Sequence, residues 1–248
     1  MKKVLIEEKE NLAIIRLNNG VTNAVSSELI DDFAAALNEI KDSKDGMVLA
    51  GGKKFFCNGL NLPEIVEFDR PAMTDFMTRI NQLNLNLYTL PMITACAIVG
   101  HAPAAGTAFA LDCDYRFAAD GKQIIGLPEI KLGVPVTYVT ELILRQIVKN
   151  RDANDLLYLG EFINPLKAKE INLIDELWPQ AEVEKKALEK VKSIANLPKQ
   201  AIKAMKHTKT EEICLRSNKY FTTYNEVFID CWFSKETRKL LDEAIEKF

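Results

Sequence analysis

Up to about residue 140 short apolar runs alternate with amphipathic stretches at helical spacing, and from Thr140 onward nearly everything reads as helix. A chain patterned this way builds strands and helices into one layered core and then adds helices to it. That is an α/β core with a helical C-terminal part. Val4–Ile6 and Leu12–Leu17 read as two strands joined by a charged turn, Glu7–Asn11. Ser26 or Ser27 can cap the helix that follows, whose Leu29, Ile30, Phe33, Leu37 and Ile40 share one face. Met47–Ala50 is a buried-strand pattern closed by Gly51-Gly52. Pro71–Tyr88 is amphipathic, and Met92–Val99 is again a strand. Beyond Gly100 a small-residue helix, Ala104–Leu111, precedes two short strands, Asp114–Ala118 and Gln123–Ile125. The helical half breaks at Asn150, Gly160–Pro165, Pro179 and Pro198. No repeat or low-complexity linker divides the 248 residues. The pattern therefore reads as one unit, a core over 1–195 and a helical extension over 196–248.

Bulk properties exclude several classes. The composition, 48% hydrophobic and 27% charged, is too apolar for a disordered chain. A net charge of −3 lacks the clustered cationic excess that nucleic acid or an anionic membrane surface requires. Five scattered cysteines without a CxxC pair read as reduced thiols in a cytoplasmic protein. Two distant histidines do not make a metal site. No apolar run reaches the roughly 18 residues of a membrane span, and the first ten residues do not read as a signal peptide.

Three segments carry candidate chemistry. They are the loop Phe55-Phe56-Cys57-Asn58-Gly59-Leu60-Asn61-Leu62, the turn and helix Gly100-His101-Ala102-Pro103-Ala104-Ala105-Gly106-Thr107-Ala108, and Gly126-Leu127-Pro128-Glu129. Taken singly, each is ordinary: a turn, a close-packed helix start, a loop acid. Sharp turns and helix starts with small residues do, however, leave backbone N–H groups free to meet a ligand.

In order and spacing these segments resemble the crotonase (enoyl-CoA hydratase/isomerase) family. The likeness is to its F-(S/C)-A-G-x-D-(L/I) loop, its N-G-x-A-x-G-G-G turn and its G-x-x-E, and Leu17-Asn18 with Asn23-Ala24 looks like the family's early L-N-x-x-x-x-N-A loop. The resemblance covers about Val4 to Leu197. It implies a core of repeated ββα units and an acyl-CoA thioester as substrate, so that coenzyme A arrives with the substrate and no other cofactor is needed. It implies a homotrimer or hexamer, and a place in fatty acid metabolism. Carried across residue by residue, the two amides that hold the thioester oxyanion fall on Leu60 and Ala105. The CoA-binding residues fall on Asn58, Gly59, Asn61, Leu62 and Gly106, the last beside the second amide. Ala105 stands where the family has glycine, which preserves the N–H provided φ is not positive. Asn58 and Asn61 replace the usual alanine and aspartate.

The same comparison separates two reactions. Hydratases of the family hold water between two glutamates, and the first of those positions is Ala108 here; only Glu129 remains. One carboxylate can take a proton from the carbon beside the thioester and return it two carbons away, so the resemblance points to an enoyl-CoA isomerase. A carboxyl among Leu127, Pro128, Ile130 and Ala108 is expected to have a raised pKa. Other one-carboxylate chemistries (decarboxylation, hydrolysis, dehalogenation), a residual hydratase activity and a non-catalytic acyl-CoA-binding role are the alternatives. Thr137 and Tyr138 read as acyl-pocket lining or a helix cap. His101 and Cys57 read as structural, Lys53 and Lys54 as loop lysines within possible reach of CoA phosphates, and Lys199, Lys203 and Lys206 as a wet helix face. Phe221, Phe228, Trp232 and Phe233 suggest that the last helices cover the active site or a neighbouring subunit.

Overall fold

The computed structural model describes residues 1–245. Strands β1 (Val4–Lys9) and β2 (Leu12–Leu17) form a hairpin in register from Val4↔Leu17 to Lys9↔Leu12. Where the pattern predicts a turn over Glu7–Asn11, the strand runs on to Lys9 and only Glu10 and Asn11 turn, Glu10 at φ +58°. β1 is an edge strand with one wet face, so its charges cost little, and Arg16 of β2 takes up Glu7. Ser26 caps α1 (Ser27–Ile40): its Oγ accepts the Leu29 N–H at 3.2 Å, and the expected apolar face is buried.

β3 (Gly46–Ala50) leads through α2 (Leu62–Ile65) into α3 (Arg70–Tyr88), which is capped by Asp69. β4 (Ile93–Ile98), β5 (Ala102–Pro103) and α4 (Ala105–Leu111) follow. After them come β6 (Tyr115–Ala119), β7 (Ile125–Gly126), a 3₁₀ turn (Glu129–Leu132) and α5 (Tyr138–Ile147). Three times, then, two strands are followed by a helix (β1-β2-α1, β4-β5-α4, β6-β7-α5), which is the expected ββα repetition. The helical half holds α6 (Asn150–Asn154), α7 (Pro165–Glu170), α8 (Val183–Ala195), α9 (Lys199–Trp232) and α10 (Lys235–Ile245). It also holds a strand that the all-helical reading misses, β8 (Glu176–Trp178), which pairs with β6 at the sheet edge. Three residues are too few to show a period.

The main sheet runs β1-β2-β3-β4-β6-β8, parallel except for the first hairpin, while β5 and β7 pair separately. Alternation along its strands sends Leu12, Ile14, Val48, Ala95, Ala97 and Phe117 to one face, against Val183, Ala187 and Val191 of α8. Ala13, Ile15, Met47, Leu49, Cys96 and Ile98 face the other way, into a core shared with α1, α3, α4 and α5. This second face carries the site. Among the described residues no helix is long and apolar enough to cross a membrane.

Helix α9 lies over α3 and α5, and its lysines do not form a wet face throughout. Lys206 is buried, its Nζ 2.7 Å from Asp114 Oδ2, and Lys209 Nζ reaches Asp114 Oδ1 at 2.8 Å. The stripe Ile202, Lys206, Thr210, Ile213, Ser217 is the side of α9 turned to the core, so Lys206 must go in with it. Burial alone would push the Asp114 carboxyl up, but the two ammonium groups outweigh it and hold it below the ordinary range.

Candidate active site

The first loop is held on both flanks. Phe56 N–H donates to His101 O at 2.8 Å, Asn58 N–H to Thr22 O at 3.0 Å, and the Asn23 side chain donates to the carbonyls of Phe55 and Phe56. The early loop around Asn23 thus works as a clamp. Val25 N–H donates to Gly59 O at 2.8 Å and Asn61 N–H to Val25 O at 2.9 Å, a parallel bridge centred on Leu60. Residues 59 and 61 therefore face Val25, and the Leu60 N–H points away from it. Among the described residues that N–H has no acceptor.

The second turn is built as tightly. Ala104 N–H donates to Gly126 O at 2.8 Å; the Thr107 hydroxyl donates to Ala102 O at 2.6 Å and accepts the Gly126 N–H at 2.9 Å. Ala105 is the first residue of α4, and its φ is not positive, so the proviso on replacing glycine is met. Its N–H belongs to the first helical turn and, among the described residues, meets no acceptor. The unusual backbone sits one residue earlier: Ala104 has φ +52° and ψ −119°, a conformation suited to glycine. The two turns meet backbone to backbone. A Cβ on Gly106 would fall 2.4 Å from Cys57 O, and one on Gly59 would fall 3.0 Å from Ala104 Cβ.

Glu129 opens the 3₁₀ turn that Gly133 closes at φ +78°, and Thr237 of α10 pins that turn by donating to Gly133 O at 3.0 Å. The residue is part-exposed, but its Oε2 is sealed from solvent and, among the described residues, has no hydrogen-bond partner. Burial pushes its pKa from an ordinary 4.5 up to about 7. Leu127 is buried beside it as expected, whereas Ile130 turns outward.

One cavity of about 210 Å³ brings these pieces together. Asn58, Gly59, Leu60, Leu62, Ala104, Ala105, Ala108 and Glu129 line it. Asn61 and Gly106 do not: the Asn61 amide donates to Glu64 Oε2 at 3.0 Å, and Gly106 serves the contact with Cys57. Met77, Ile80, Leu132, Val134 and Phe228 make most of the remaining wall apolar. Phe228 and Trp232 of α9 close the cavity of their own chain. Their i, i+4 spacing near the end of the sequence was the available signal for this. Thr137 both caps α5 and lines the cavity, and Tyr138 instead stacks on Tyr224 outside it. His101 is structural, its Nδ1 accepting the Ile124 N–H at 3.1 Å. Cys57 is packing: burial raises its thiol to about 12. Among the described residues no cluster of three or more His, Cys, Asp or Glu side chains could hold a metal ion.

The chain is similar to known proteins over most of its length. The family model described as enoyl-CoA hydratase/isomerase matches residues 7–248. "Enoyl-CoA delta isomerase 1, mitochondrial" from Mus musculus is 32% identical over 192 residues, 75% of this chain and 66% of the relative. "2,3-dehydroadipyl-CoA hydratase" from Escherichia coli (strain K12) is 26% identical over 88% of this chain and 86% of its own. Among solved structures, that of human mitochondrial delta3-delta2-enoyl-CoA isomerase superposes with a TM-score of 0.95 at 25% identity, covering 99% of this chain and 97% of that one. With a family model spanning almost all of its length and a fold that superposes end to end, the chain belongs to the enoyl-CoA hydratase/isomerase family.

Proposed function

We propose that the protein is an enoyl-CoA isomerase that converts a 3-enoyl-CoA thioester to its 2-enoyl isomer with Glu129 as the only acid–base group. The observation that carries this reading is the content of the cavity among the described residues: one carboxyl, two backbone N–H groups without acceptors, and Ala108 at the position that matches the first glutamate of the family's hydratases. In the proposed reaction Glu129 removes a proton from C2. The electrons of the broken C2–H bond move onto the thioester carbonyl and leave a dienolate conjugated with the C3–C4 double bond, with the negative charge on the thioester oxygen. The N–H groups of Leu60 and Ala105 hold that oxygen, each donor contributing on the order of 2.7–4 kcal/mol. The protonated Glu129 then delivers the proton to C4, so the double bond ends between C2 and C3 and the carboxylate is restored. No water is consumed.

A carboxyl with a pKa of about 7 suits a group that must accept and then donate the same proton near neutral pH. We assign the CoA portion of the substrate to the mouth formed by Asn58, Gly59 and Leu62. We further propose that copies of the chain associate as a trimer or hexamer through the exposed apolar side chains Ile130, Tyr158, Leu159, Phe162 and Leu166. The experiment is to mix the protein with 3-enoyl-CoA esters and follow absorbance. Growth of a conjugated-thioester band without later loss to a hydrated product supports isomerisation. Absence of the band with short and long esters alike, or full activity in Glu129→Gln, rejects it.

A further inference from the structure

We propose that Phe228 limits the length of the acyl chain this site accepts, because its ring stands in the partition between the catalytic cavity and a second void behind it; this rests on the acyl-CoA reading above. The second void has about 180 Å³ and lies between α3, α5 and α9. Met77, Pro135, Thr137 and Phe228 line both spaces, so a single layer of side chains separates them. Among the described residues, nothing from the segments 55–62, 100–108 or 126–129 touches the second void. With the thioester carbonyl at the amides of residues 60 and 105 and CoA at the mouth, only the far end of an acyl chain could reach it. The void is not sealed on its outer side: Tyr224 and Val227, each 45% exposed, stand in its wall. Without the partition, the catalytic cavity would continue toward the surface between α5 and α9.

Three of the four members of the partition are held in place. Pro135 has a fixed φ, and Thr137 is tied to Thr140, their Oγ1 atoms 2.8 Å apart. The Phe228 ring stacks on Trp232 with centroids 6.2 Å apart and planes 15° apart, and the Arg238 guanidinium lies 5.6 Å from the Trp232 centroid. Three residues earlier on α9, Asn225 Nδ2 donates to Thr78 Oγ1 at 3.3 Å, which fastens the helix to α3 beside Met77. Only Met77 has torsions that turn easily. A saturated chain gains affinity methylene by methylene as it is buried. A fixed ring across its path ends that gain at a set length. Phe228 is thus a specificity residue that meets the far end of the substrate and none of the reacting atoms.

The test is calorimetry with saturated acyl-CoA esters from hexanoyl to tetradecanoyl, which cannot isomerise. In wild-type protein Kd should fall about fourfold for each added methylene and then stop falling where the chain meets the ring. In Phe228→Ala the break should move to longer chains, and the preference for tetradecanoyl over hexanoyl should rise about tenfold or more above wild type. Truncating a buried phenylalanine can unfold a protein, so Phe228→Leu is measured beside it and should shift the break the same way by less. Val136→Phe fills the second void from a residue that lines only that space. It should leave the wild-type series unchanged and, added to Phe228→Ala, should cancel the gain. A wild-type Kd that falls without a break to tetradecanoyl overturns the proposal and shows that Met77 swings aside. A break that both Phe228 variants leave in place overturns it too, as does a gain that Val136→Phe does not remove. Failure of the isomerase reading looks different: no 3-enoyl ester is conjugated, yet the saturated series still decides the role of Phe228.

Discussion

Replacing Glu129 by Gln should make the folded protein more stable at alkaline pH relative to wild type, while removing its proposed activity. The carboxyl's pKa moves from 4.5 to about 7 on folding because burial penalises the charged form. The sign follows from linkage. An acid whose folded pKa is raised stabilises the native state relative to its ionised form below pH 4.5, and that contribution is lost as pH rises through about 7. At about 1.4 kcal/mol per tenfold change in proton affinity, the full loss comes to about 3 kcal/mol. Glutamine does not titrate. Its buried amide adds a constant cost, so the wild-type-to-variant difference should be flat below about pH 4.5, climb between there and about 7, and level off above. Urea melts of both proteins at pH 5 and pH 8.5 measure it, with the change in the difference between the two pH values as the readout. A difference that is the same at both would refute the reasoning, since the carboxyl would then be solvated in the folded state. The same variant should lose on the order of 10²–10⁴-fold in turnover of a 3-enoyl-CoA.

For wild-type protein, kcat/KM should rise with pH through an apparent pKa near 7, because the free enzyme must hold Glu129 ionised; a profile flat from pH 5 to 9 contradicts this. Ala104→Gly should stabilise the fold by about 1 kcal/mol in urea melts, since glycine relieves the strain of φ +52° at a modest entropic cost. Asp114→Ala should cost about 3–5 kcal/mol, as it leaves the Lys206 ammonium buried without its counter-charge; a loss under about 1 kcal/mol would show that Lys206 escapes to water.

Much of the core can be read from the amino-acid order through short-range rules, whereas the three segments around the cavity are legible only through the likeness of their order and spacing to the crotonase family. Period-2 and period-3.6 patterns place the strands and α1, and the glycine-containing turns at 59, 106 and 126 mark where backbones approach closely. What escapes reading depends on partners remote in the chain. Lys206 looks like its neighbours Lys199 and Lys203 until Asp114, 92 positions earlier, is brought beneath it. Even so, the apolar stripe through Ile202 and Ile213 is a local clue to its burial. Ala104 is a missed strain site because alanine announces no positive φ. Asn84 lines the cavity from α3 with no motif near it, whereas Phe228 and Trp232 are legible as a cover through their i, i+4 spacing.

Among the described residues the carboxyls of Asp112, Asp114 and Glu129 are largely withdrawn from water, and their contrast explains why position outranks pKa in choosing the base. Asp114 is matched by two lysines that hold it ionised, so it secures α9 to the core and cannot work as an acid near neutral pH. Asp112 is raised by burial as Glu129 is, and both its oxygens lack partners, but it lies outside the cavity, where no substrate proton could reach it. Glu129 alone combines a raised pKa with a place in the wall beside the amides of residues 60 and 105. A counter-ion there would recover the stability that burial costs, but it would also pull the pKa back toward 4 and leave a carboxylate too weak a base to take a proton from carbon. The unpaired state of Glu129 is therefore the arrangement the proposed proton transfer requires.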